Sequence, residues 1–206
     1  MTAMTTAADY AWLEERHEAL MQAYCVTLVR GLTPLELLRE LKARPGPRIT
    51  GVDGLCEPSY DVDEANRLFV GATALGDWSL MVEFNGYLGV TNEAMIPLSR
   101  GRRVVSHFLN VNAVDHFCWY EDGELRLHFE PLFAYHRDGT HPDELLDAMR
   151  ESGFDLVEHE EDEERDYDDL TGASFALAHR ITGIRLTPEL FASAEFICGV
   201  APVPRT

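Results

Sequence analysis

Apolar and polar residues alternate most regularly between Gly101 and Pro131, where the chain reads GRRVVSHFLNVNAVDHFCWYEDGELRLHFEP. A period of two belongs to a half-buried strand, and Asp122-Gly123 supplies the positive-φ pair of a two-residue hairpin turn. Counting outward from that turn sets Tyr120 opposite Leu125, Cys118 opposite Leu127 and His116 opposite Phe129. Phe117, Trp119, Arg126, His128 and Glu130 take the other face. A looser turn over Val111 to Val114 pairs Val104–Leu109 with the strand starting at Asp115, bringing Val105, His107 and Leu109 onto the first face. A second hairpin, Leu68–Leu75 and Trp78–Phe84, turns at Gly76-Asp77. Val26–Val29 adds an edge strand.

Helical signals flank these strands. Leu13, His17, Leu20 and Met21 have the spacing of a short amphipathic helix. Thr33-Pro34-Leu35-Glu36 is a capping box with proline at the first helical position, and Arg44-Pro-Gly-Pro47 stops that helix. Thr91-Asn92-Glu93, His141-Pro142-Asp143-Glu144 and Leu186-Thr187-Pro188 open further helices, and Phe175, Leu177, Ala178 and Ile181 mark another that ends at Gly183. The fold expected is α+β: a largely antiparallel five- to six-stranded sheet, with helices near 34–43, 142–152 and 173–196 packed mainly on one face. A single domain spans 9–200, between a tail at 1–8 and an extended end at 201–206. Nine acids between Glu158 and Asp169 against one arginine make that run a solvated, mobile loop.

Charge narrows the partners. Seventeen Lys and Arg against thirty-six Asp and Glu leave −19, which repels phosphate backbones and anionic membranes and permits a basic protein partner. No apolar run reaches the roughly 18 residues of a membrane span. The first ten residues lack the basic and apolar regions of a secretory signal, which points to the cytoplasm. The cysteines Cys25, Cys56, Cys118 and Cys198 are scattered and read as reduced thiols.

The segment from Tyr24 to Leu38 (YCVTLVRGLTPLELL), with Gly76-Asp77-Trp78, Leu98-Ser99-Arg100-Gly101 and Asp122-Gly123-Glu124-Leu125, resembles an actinobacterial family known only as a domain of unknown function. The resemblance implies a cytosolic protein of a filamentous soil bacterium and supplies no activity or catalytic residue.

Candidate chemistry is sparse. In the register above His107 lies opposite Cys118, with His116 two residues along, and cross-strand Cβ atoms are about 4.5–5.5 Å apart. Such a trio offers zinc ligands, one short of a tetrahedral set, or a thiolate–imidazole pair. The alternative is that Cys118 is a small core residue and the histidines are strand-end or satisfied ones. Beyond zinc at this trio no cofactor is expected. Tyr135-His136-Arg137-Asp138 belongs to a polar loop where a general base is conceivable and helix entry is the commoner use. Phe117, Trp119, Arg126 and His128 form the candidate recognition patch, since aromatics with arginine dominate binding hot spots. The function expected is a non-enzymatic interaction module of regulatory or immunity type; the alternative is a small metal-dependent or thiol enzyme centred on residues 102–130.

Overall fold

The computed structural model describes residues 5–158 and 169–204. The interior of the acidic run, residues 159–168, lies outside them, as do residues 1–4 of the expected N-terminal tail. The described residues form nine strands: β1 (Tyr24–Arg30), β2 (Arg44–Thr50), β3 (Arg67–Leu75), β4 (Trp78–Phe84), β5 (Arg103–Leu109), β6 (Asp115–Glu121), β7 (Glu124–Phe129), β8 (Arg137–Asp138) and β9 (Glu195–Pro202). They make one sheet in the order β2-β9-β3-β4-β1-β5-β6-β7-β8, with every neighbouring pair antiparallel.

The α+β class and the antiparallel sheet match the pattern, but the sheet is larger than five or six strands. The Val26–Val29 strand is central, paired on both sides by β4 and β5. Its apolar run is that of a strand buried on both faces. The supposed helix stop at Arg44 is the outermost strand. Its prolines remove amide donors, which an edge strand tolerates, and their exposure blunts that edge against further pairing. Ala201 and Pro202, read as the start of a tail, complete β9 between β2 and β3.

Helices cover both faces, so packing mainly on one face is not confirmed. On one face α1 (Trp12–Arg16), α2 (Glu18–Gln22), α4 (Cys56–Tyr60), α6 (Leu146–Ser152), α7 (Leu170–Thr182) and α8 (Pro188–Ser193) pack Leu13, Leu20, Cys56, Met149, Phe175 and Phe191 against the sheet. On the other, α3 (Pro34–Glu40) and α5 (Asn92–Leu98) bury Leu37, Leu38, Met95 and Leu98. The Thr33 cap forms as expected: its hydroxyl accepts from the Glu36 amide at 3.3 Å, and the Thr33 amide donates to the Glu36 carboxylate at 2.8 Å. Near the N-terminus, Thr5 bonds the His179 ring at 2.8 Å and a 3-10 turn at Ala7–Tyr10 buries Tyr10, so this part of the expected tail packs on the domain.

Two local features reset the central register. Asn110 closes a five-residue loop, its side-chain oxygen accepting from the Asn112 and Val114 amides at 2.9 and 3.0 Å. His107 therefore faces Phe117, and Ser106 faces Cys118. Beyond Asp122-Gly123 the expected Tyr120–Leu125 pair forms, but Arg126 is then an extra residue, a β-bulge. Cys118 consequently faces His128, Trp119 faces Leu127 and Phe117 faces Phe129.

The bulge is held from the next turn. The Thr140 and His141 amides donate to the Leu125 and Arg126 carbonyls at 3.0 and 2.9 Å. Gly139 has φ +119°, and a Cβ there would stand 2.4 Å from the Arg126 carbonyl oxygen. Gly139→Ala combines backbone strain with a clash against main chain, and we expect it to lower unfolding free energy by roughly 2–4 kcal/mol in urea titrations. At Gly76 the φ is also positive but a Cβ meets nothing within 4 Å, and there the same change costs only about 1 kcal/mol.

Candidate functional site

The revised register separates the residues singled out in the sequence. His107 points to the α7 face, while His116 and Cys118 lie on the α3 face. The trio is therefore divided by the sheet, and no group of three or more His, Cys, Asp or Glu able to hold a metal ion exists among the described residues. His107 is instead 2% exposed and spoken for at both ring nitrogens. Nε2 lies 2.6 Å from the Asp115 carboxylate, which accepts from it, and Nδ1 is hydrogen-bonded with the Tyr24 hydroxyl at 2.9 Å. Phe175 packs on both rings. Burial, with Asp115 adding to it, holds the Tyr24 phenol well above its ordinary range, and the relay ties β1 to β5 and β6 beneath α7.

The recognition patch is likewise divided. Phe117 and Trp119 are 0% and 3% exposed, beneath α6 and α7. Arg126 lies over Trp119 at 4.8 Å and donates to Glu144 at 2.6 Å, while Arg103 covers the same indole at 5.5 Å. That stack makes Arg126 a brace for the bulge, worth on the order of 1 kcal/mol. His128 is on the opposite face, so the four residues share no common surface.

Burial raises the thiols of Cys25, Cys118 and Cys198, the last two to about 12. A thiol so raised supplies little nucleophile at neutral pH.

The sequence reading missed Glu83. It sits on β4, is fully buried, and accepts from the Leu88 and Gly89 amides, both at 3.0 Å. The Asn85–Thr91 loop is thereby folded onto the sheet. Glycine is needed there: a Cβ at Gly86 would fall 2.5 Å from the Glu83 carboxylate, and one at Gly89 would fall 2.0 Å from the Thr27 hydroxyl. The clue in the sequence is Asn85-Gly86 and Gly89 crowding one acidic strand end. Burial pushes the Glu83 carboxyl up to about 7, against the pull of the loop amides.

Two depressions open to solvent near these elements. The larger, of about 460 Å³, lies between α3 and α5, with Leu41, Leu88, Pro97 and Pro202 as apolar walls and Glu40, Lys42 and Glu93 in its lining. Its charges are of both signs. The other, of about 380 Å³, lies at the β7–β8 end of the sheet. Its lining brings together Phe129, Phe133, Tyr135, the imidazoles of His128 and His136, and the carboxylates of Glu130, Asp138 and Glu158, with no Lys or Arg among the described residues. His128 is hydrogen-bonded to His116 at 3.0 Å, and its other nitrogen is 3.9 Å from Asp138. Of the residues singled out in the sequence, His128, Tyr135, His136 and Asp138 thus meet here, assembled by the bulge and the β8 pairing of His128 with Asp138.

The model of a family of unknown function, DUF6461, matches residues 3–205. No curated protein and no solved structure matches the chain.

Glu83 generates a pH prediction. An ordinary glutamate titrates near 4.5, and this one is raised to about 7 in the fold. The folded state therefore holds the extra proton between those values, and its stabilisation is complete below about 4.5 and lost as pH rises through about 7. In parallel denaturation series, Glu83→Gln should gain on the wild type by on the order of 3 kcal/mol across that window. A difference between the two that does not change with pH would refute this assignment.

Proposed function

We propose that this chain, which belongs to the DUF6461 family of unknown function, is a non-enzymatic interaction module whose partner presents basic side chains to the β7–β8 cleft. The observation that carries the reading is the composition of that cleft: three carboxylates and the rings of Phe129, Phe133 and Tyr135, with no Lys or Arg among the described residues. Carboxylates without a local Arg or Lys leave a field for a ligand to neutralise, and aromatic faces favour cations. Neighbouring Arg137 does not fill this role, because its guanidinium is drawn to Asp143 at 2.9 Å and the Ala134 carbonyl at 2.6 Å.

The formal charge of −19 acts over a longer range in the same direction, steering a basic partner inward and raising its association rate. A thiol or metal enzyme centred on residues 102–130 finds less support, since its three residues lie on two faces and the Cys118 thiol is raised by burial. No helix of the described residues is long and apolar enough to cross a membrane.

Calorimetric titration with a short arginine- and lysine-rich peptide tests the proposal. Binding is expected at low salt, weakening as ionic strength rises toward the roughly 8 Å screening length of physiological buffer. Asp138→Asn, at an exposed carboxylate, should weaken it by roughly two- to fivefold, with a larger loss when Glu130→Gln is added. Binding unchanged by both substitutions would place the partner elsewhere.

A further inference from the structure

The two histidines beside the cleft carry the reading further. His128 Nε2 and His116 Nδ1 are 3.0 Å apart, so one ring donates and the other accepts, and only one proton lies between them. His116 is stacked on Phe108, with ring planes 13° apart, which holds the pair in place. The free corner of His128 is Nδ1, which lies 3.9 Å from the Asp138 carboxylate. That separation is too long for a hydrogen bond, but it suits an ion pair once Nδ1 takes a proton. Asp138 thus has two prospective cationic partners, an imidazolium on the sheet side and a ligand on the solvent side.

We propose that the cleft is a guanidinium site in which an arginine of the basic partner and a proton on His128 compete for Asp138. This rests on the function proposed above and specifies its ligand and its regulation. A guanidinium is favoured over an ammonium because its plane can lie on a ring face while its fork meets carboxylates from two directions. The Phe133 and Tyr135 rings stand at 89° to one another, so they present differently oriented surfaces. Glu130 at the end of β7 and Asp138 on β8 supply the acceptors. The other titratable groups facing His128 are Cys118 and His116 on β6 and, across the cleft, His136 and Glu158. Burial and the neighbouring His116 hold His128 below the ordinary imidazole range, with Asp138 and Glu130 opposing. It is therefore neutral at pH 7.5, and acidification charges it.

The test is an NMR titration of the full chain with a capped Gly-Gly-Arg-Gly-Gly peptide, alongside its lysine and citrulline counterparts. The arginine peptide should bind tightest and the neutral citrulline peptide should not bind. Arginine affinity should fall by about threefold or more between pH 7.5 and 5.0, and by linkage saturating peptide should lower the His128 midpoint by about half a pH unit. His128→Asn should lose most of that pH dependence, read as the ratio of its affinities at pH 7.5 and 5.0. If the variant misfolds, the His128 midpoint in the wild type decides. Equal binding of arginine and lysine overturns the guanidinium assignment while leaving a basic partner. An unmoved His128 midpoint on saturation overturns the competition. Failure of every basic peptide to bind removes the function proposed above as well.

Discussion

One extra residue, Arg126, decides which side chains are neighbours across the last third of the sheet. Without the bulge, the alternation leaving Asp122-Gly123 would set Cys118 against Leu127 and place His128 beside Trp119. With it, Leu127 and Phe129 turn to the α7 face, joining Trp119 and Phe117, while Leu125 stays with Tyr120 on the α3 face. The bulge is stable because its loose ends are satisfied: the Leu125 and Arg126 carbonyls accept from the 140–141 backbone, and the Arg126 side chain lies on Trp119 and reaches Glu144. The same backbone brings β8 alongside His128, and so builds the wall of the cleft. Fold and candidate site are consequences of one local irregularity.

The polar residues inside the sheet divide by how their charge is handled. On the α7 face, Tyr24, His107 and Asp115 form a relay in which each ring nitrogen of the buried histidine has a partner. On the α3 face, Glu83 has backbone amides for partners and a raised affinity for a proton, the expected result of desolvating a carboxylate without a cation. By contrast the carboxylates of the β7–β8 cleft are at least partly open to solvent, and Asp138 is two-thirds exposed. Water screens their mutual repulsion there, at no large cost to folding, and leaves them available to a ligand.

Local chemistry was legible in the sequence wherever it was short-ranged. The Thr33 capping box, the Asp122-Gly123 and Gly76-Asp77 turns and the helix ends at Gly153 and Gly183 depend on residues within four positions of one another, and they form where the pattern placed them. Residues 44–50 and 195–202 misled because their strand character depends on each other: Pro-Gly-Pro reads as a breaker until β9 lies beside it on one side only. The bulge was hidden for a related reason. Arg126 fits an alternating strand as well as its neighbours do, and only Gly139, thirteen residues on, leaves room for the kink. Glu83 is not legible as a buried group because an acid in an alternating strand ordinarily points to water; here Gly86 and Gly89 let a loop close over it. Of the site, the Tyr135-His136-Arg137-Asp138 loop and His128 are each visible in the sequence, and nothing local indicates that they meet.

The pattern of cross-strand NOEs between β6 and β7 reads this constraint directly in solution. The expected contacts pair Tyr120 with Leu125, skip Arg126, and then pair Trp119 with Leu127 and Cys118 with His128. An unbroken ladder that pairs Cys118 with Leu127 would contradict it, because His128 would then turn to the α7 face and the cleft would lose its wall.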